Sequence, residues 1–209
     1  MVRVVGYTYK GVGIGDNVDG DFKWMVKQKK YDKCLFLINE NFIDSIDPTP
    51  YEGAGTAKLR PLTFRFMDKP RAAGVPTGWS VASGGFTELD PLTKKAIDNS
   101  FQRISYLLSK FAYDTIIYSA DPKAPTKIGV NIFQLPEKII DYISSKIASL
   151  SQLQHENDLV KLDQHLAYIE KVLTPHARAM RDLARALDRI AVLEKSHQVK
   201  RPRLGLTTF

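Results

Sequence analysis

Three stretches of this chain combine residue types that could hold a ligand. Asn39-Glu40-Asn41 is followed by the small-residue segment Gly53-Ala54-Gly55-Thr56-Ala57, which runs into Lys58-Leu59-Arg60. Small residues allow close backbone approach, and a loop entering a helix start offers N–H groups to an anion, with Lys58 or Arg60 adding charge. The segment lacks the Gly-Lys-Ser/Thr of a P-loop and the third glycine of a dinucleotide fingerprint. A second small-residue run, Ala72 to Gly78, leads to Trp79 and then Gly84-Gly85-Phe86, two aromatics that could stack on a base or sit in the core. The third stretch is Lys127-Ile128-Gly129-Val130-Asn131-Ile132-Phe133-Gln134-Leu135-Pro136, placed as a phosphate or ribose clamp would be. Glu40, Glu52 and Asp121 are the carboxylates near these loops, but each is single, so no catalytic residue is assigned.

The inventory excludes several chemistries. Cys34 is the only cysteine, which rules out a disulfide framework, and its apolar surroundings point to a buried, inert thiol. All four histidines, at 155, 165, 176 and 197, fall in the last third, so no Ser-His-Asp or Cys-His site is expected in the first 150 residues. Their spacing matches no close metal-ligand pattern, and neither a metal nor a cofactor is expected. No window approaches the roughly 18 uninterrupted apolar residues of a membrane span. The opening residues lack a secretory apolar region, so an intracellular, cytoplasmic protein with no membrane partner is expected.

The elements that must position the loops follow from periodicity. With 209 residues, 44% hydrophobic and 25% charged, the chain can build one folded domain plus an appendage. Short β-branched and aromatic runs predict strands at 2–9, 33–38, 63–67, 78–82 and 115–119. Apolar residues at helical spacing predict a helix over 92–111, opened by Asp90-Pro91 as cap and first-turn residue, and another over 136–150. Helix, strand, loop, helix in that order is the final crossover of an α/β sheet, an architecture that places ligands at the carboxyl ends of strands.

The order of these motifs across residues 31–148 resembles the macrodomain family, α/β modules that bind ADP-ribose and in some members hydrolyse its conjugates. Tyr31 to Asn41 looks like the family's strand ending in an Asn-containing turn, Gly53 to Ala57 like its glycine-rich loop, and Ile128 to Pro136 like its phosphate loop. The chain is also similar to small phage-encoded macro-like proteins of unassigned activity, through Gly74-Val-Pro-Thr77 and Leu135-Pro136. The resemblance implies a macrodomain-like three-layer α/β/α sandwich over residues 1–148. It implies a ligand site formed by Asp32 on the adenine side with Asn39, Asn41, Gly53, Gly55, Thr56, Gly129, Asn131, Ile132 and Phe133. This sequence departs from the family pattern in three ways: its two asparagines are two residues apart rather than three, Ala54 interrupts the glycines, and Asn131 and Gln134 replace both glycines of the phosphate loop.

Residues 149–197 read as a helical arm. Leu159, Leu162, Leu166, Ile169 and Leu173, then Met180, Leu183, Leu187 and Ile190, form a coiled-coil-like seam with a break near Pro175. Such a stripe packs on its own domain or on another chain, so a protein partner or a second copy is expected through 150–197. The tail 198–209 is basic and could contact nucleic acid non-specifically. From Ser149 on, ten basic and seven acidic residues give +3 of the net +7, leaving +4 for the first 148, so charge alone demands no dedicated nucleic-acid face. Three functions follow: a module binding an ADP-ribose-type nucleotide and docked by its arm; a structural or assembly component, of a virus particle or other large complex, with a vestigial pocket; or an ADP-ribosyl hydrolase.

Overall fold

The computed structural model of the chain describes residues 2–10, 18–46, 52–65, 68–129 and 133–152. Its elements are β1 (Arg3–Thr8), α1 (Phe22–Met25), β2 (Cys34–Asn41), α2 (Phe42–Ile46), α3 (Leu62–Arg65), β3 (Ala72–Ser80), β4 (Gly84–Gly85), α4 (Pro91–Lys110), β5 (Thr115–Ala120) and α5 (Glu137–Ser149). Single 3-10 turns lie at Lys29–Tyr31, Gly55–Leu59 and Leu150–Gln152. The expected arm beyond residue 152, its break at Pro175, the tail, the four histidines, and Asn131 and Ile132 all lie outside the described residues.

The strands form one sheet in the order β1-β5-β2-β3-β4, the first four parallel and β4 antiparallel to β3. The uninterrupted apolar run of β2 follows from this: a central parallel strand is covered on both faces. Its side chains alternate between two cores. Leu35 and Leu37 join Ile97, Ile104, Ile139 and Ile143 of α4 and α5 on one face. Cys34, Phe36 and Ile38 join Phe22, Met25, Tyr31 and Leu59 on the other. The result is a generic α/β/α arrangement of a five-stranded sheet flanked by helices. Asp90 caps α4 as expected, its Oδ1 accepting from Thr93 N at 2.7 Å with Pro91 in the first turn.

Two expectations change. Of the strand expected at 63–67, the described residues 63–65 lie in the short helix α3 (Leu62–Arg65), and the strand expected at 78–82 is instead Ala72–Ser80, which takes the place beside β2. The alternation in Thr-Phe-Arg-Phe-Met imitates a strand, whereas β3 is built of small residues and contains Pro76. Small residues are needed there because Gly74 touches neighbours on two sides. A Cβ at Gly74 would overlap Glu40 Oε2, and the Ser100 hydroxyl donates to Gly74 O. Pro76 is tolerated because β4 pairs only with Gly78 and Ser80, so no strand lies opposite its missing N–H on that edge.

Candidate functional site

Parallel strands bring their carboxyl ends to one edge of the sheet, and the cleft opens there. It has a volume of about 380 Å³ and is lined by Asn39, Asn41, Gly53, Gly55, Thr56, Gly129 and Phe133, together with Tyr9, Glu40, Glu52, Ala54, Arg60, Thr77, Val81 and Ser119. Seven of the ten residues implied by the resemblance therefore meet in one place.

Asn39 joins the walls. Its backbone N–H donates to Thr56 Oγ1 at 2.9 Å, holding the Gly55–Leu59 turn against β2. Its side-chain Nδ2 donates to Gly129 O at 2.6 Å, holding the segment that follows β5. A carbonyl only accepts, so the amide nitrogen faces Gly129 and the Oδ1 acceptor is left enclosed with no partner. Asn41 does different work: its Oδ1 accepts from Asp44 N at 2.9 Å and its Nδ2 donates to Asp44 Oδ2 at 2.7 Å, so it caps α2.

The glycines have geometric reasons. Gly55 has φ +59°, a left-handed conformation that starts the 3-10 turn. A Cβ on Gly129 would stand 2.7 Å from Ala120 O, so only glycine lets this segment fold back on β5, where Gly129 N donates to Ser119 O at 2.8 Å. Ile128 N donates to Ser144 Oγ at 3.0 Å, anchoring the same segment to α5. Phe133 packs against Gly85, whose absent Cβ would lie 2.7 Å from Phe133 Cβ.

Asp32 does not join this group. It precedes β2, whereas the cleft lies past the other end of that strand, roughly 20 Å away at about 3.3 Å per residue. Its carboxylate is exposed and pairs with Arg71 Nη1 at 3.3 Å. Its position in the motif sets Asp32 next to β2 without saying which end of that strand opens into the cleft. Trp79 and Phe86 stack edge to face at 5.1 Å, and Phe86 is wholly buried, so both contribute to packing. Cys34 is buried away from the cleft, and burial pushes its thiol up.

The residue that sequence reasoning undervalued is Glu40. It is not a loop carboxylate: it ends the buried stripe Cys34, Phe36, Ile38 on β2 and its side chain is fully enclosed. Oε1 accepts from Arg60 Nε and Arg65 Nη1, both at 3.0 Å. Arg60 also reaches Asp44 Oδ2 at 3.1 Å, and Arg65 donates to Asp44 O and Ser45 O. Burial pushes the Glu40 carboxyl up, opposed by the Arg65 and Arg60 charges. Period-two counting from Cys34 was the available signal, since it places Glu40 on a covered face where a charge needs a counter-ion. Glu52 is exposed and pairs with Lys23 at 2.7 Å, and Asp121 Oδ1 accepts from Lys123 N at 2.7 Å in a local turn.

Among the described residues the cleft pairs no nucleophile with a base, since its hydroxyls stand without histidine and its one enclosed carboxylate is held by two guanidiniums. No group of three His, Cys, Asp or Glu side chains among the described residues could hold a metal ion, and no helix among them is long and apolar enough to cross a membrane. Comparison with protein-family models, with curated proteins and with solved structures gives no match to this chain.

Proposed function

We propose that the described residues form a macrodomain-like module whose cleft binds an ADP-ribose-type nucleotide. The observation that carries this reading is the unpaired, enclosed Oδ1 acceptor of Asn39, a residue that lines the cleft. A buried acceptor left unpaired costs about 1–3 kcal/mol, and a ligand hydroxyl such as that of ribose would satisfy it. Support also comes from the volume, within the roughly 300–1,000 Å³ of small-molecule sites, and from the position at strand carboxyl ends. Calorimetric titration of the full chain with ADP-ribose tests it, with Ala54→Trp as the blocked control. Ala54 is exposed on the cleft lining with extended backbone, φ −80° and ψ 158°, so tryptophan fills the cleft without strain. Saturable binding by the wild type, lost in Ala54→Trp at unchanged thermal stability, is the expected result. No binding at millimolar ligand overturns the proposal.

An assembly component with a vestigial pocket is the second reading, and Arg60 favours it. Its guanidinium lines the cleft but is engaged by Glu40 and Asp44, leaving it less available to a diphosphate. Failure to bind nucleotide together with a defined oligomer in sedimentation would support this reading. The hydrolase reading has least support, because both carboxylates of the described cleft are engaged, Glu40 by Arg60 and Arg65 and Glu52 by Lys23; release of product from an ADP-ribosylated protein would restore it.

A further inference from the structure

We infer that the face formed by α1, the Lys29–Tyr31 turn and the end of β1 binds nucleic acid through its phosphates. Between Phe22 and Lys33 there are five lysines, at 23, 27, 29, 30 and 33, and one acidic residue, Asp32. The fold sets this segment beside the outermost strand: Lys10 N donates to Gly20 O at 3.0 Å, and Tyr7, Tyr9 and Trp24 pack on the core that lies beneath. Four of the acidic side chains described on or beside this face are already engaged, whereas Asp114, next to Lys33, makes no ion pair among the described residues. Asp19 pairs with Lys30 at 2.9 Å, Asp32 with Arg71, Glu52 with Lys23, and Asp21 accepts from Lys23 N and Trp24 N at the start of α1. What remains is net positive. Lys27, Lys29 and Lys33 are exposed and make no ion pair among the described residues.

Charge chooses the occupant. Residues 153–209 carry ten basic and seven acidic side chains, so the chain's own remainder is repelled, and a second copy would present the same positive face. An anionic membrane needs apolar side chains to insert, and the exposed large hydrophobics among the described residues, Val81 and Leu92, lie elsewhere. A polyphosphate backbone fits, because each lysine that neutralises a phosphate releases counter-ions. Half-buried Trp24, with Lys30 Nζ 5.6 Å from its ring, adds an aromatic surface of the kind on which unpaired bases stack.

The test is fluorescence anisotropy of a labelled oligothymidine 20-mer with the full-length protein across a salt series, alongside vesicles of anionic lipid. The variant K27Q/K29Q/K33Q is compared with K94Q/K95Q/K138Q, which removes the same charge from exposed positions on α4 and α5, across the sheet. The first variant is expected to lower the magnitude of the log–log salt slope by about 2, at roughly 0.7 per phosphate contact for single strands, and the second to leave it unchanged. The inference is overturned by no wild-type binding at about 50 mM salt, the low end of the range where such contacts are strong; by equal losses in both variants; or by binding to vesicles without binding to the oligonucleotide. A slope unmoved by K27Q/K29Q/K33Q also overturns it, since the contact would then lie outside this face.

Discussion

Asn39 Nδ2 and Gly129 O are 2.6 Å apart although 90 positions separate them in the chain. The bond joins the carboxyl end of β2 to the segment that follows the neighbouring parallel strand β5. It therefore fixes the width of the cleft between the glycine-rich turn and the segment after β5. Asn39→Ala removes one hydrogen bond, worth about 0.5–1.5 kcal/mol, and with it the unpaired Oδ1, so the net loss of stability is expected to stay below about 1.5 kcal/mol. Asn39→Asp sets a carboxylate oxygen against a carbonyl and is expected to cost more. Urea unfolding of both variants checks the order.

Gly74 and Glu40 share one space. A methyl group at Gly74 overlaps Glu40 Oε2, which is enclosed and cannot swing away, and the strand is further pinned by Ser100. Gly74→Ala is therefore expected to destabilise by about 1–3 kcal/mol, the range for overpacked interiors. The denaturation midpoint should fall with an unchanged slope; an unaltered midpoint would show that β3 can shift.

Arg65→Met leaves Glu40 with Arg60 as its one guanidinium partner, and breaking a buried charge cluster in this way costs about 3–5 kcal/mol at neutral pH. The pH dependence has a definite sign. Burial already raises the Glu40 carboxyl, and loss of Arg65 raises it further. A raised carboxyl contributes stability that is fully present below its ordinary unfolded value, near 4.3, and is lost as pH climbs through the folded value. The deficit of Arg65→Met relative to the wild type should thus be smaller near pH 4, where only the lost bonds to Asp44 O and Ser45 O count, and grow towards neutrality, as paired chemical denaturations at the two ends of that range will show.

Ser144→Ala deprives Ile128 N–H of its acceptor inside the protein. An orphaned buried donor costs about 1–3 kcal/mol. Because that bond anchors the segment carrying Gly129, amide exchange at Ile128 and Gly129 should speed up before global unfolding does. Equal exchange rates in the two proteins would mean that the Gly129 N–Ser119 O bond alone holds the segment.

Much of the framework was legible because it rests on short-range signals. The long helices read as 92–111 and 136–150 appear as Pro91–Lys110 and Glu137–Ser149, and the strands read as 2–9, 33–38 and 115–119 appear within a few residues of those limits. Asp90 and Pro91 announce α4 by local capping, which needs no tertiary contact. β3 was hidden for the opposite reason. Its composition, Ala72-Ala73-Gly74-Val75-Pro76-Thr77-Gly78, is that of a loop, and it is a strand because Glu40 and α4 leave room for nothing larger.

The amino-acid sequence by itself determined an α/β alternation, its two long helices and the set of small and amide residues whose loops could approach a ligand. Only the tertiary structure decided which of those residues meet. Asn39 reaches Gly129 because β5 lies between β1 and β2, and Asp32 is excluded because it enters β2 at the far end. Helical period and capping act over three or four residues, whereas strand order depends on which apolar faces exclude water together across a hundred, and local pattern carries no record of that choice.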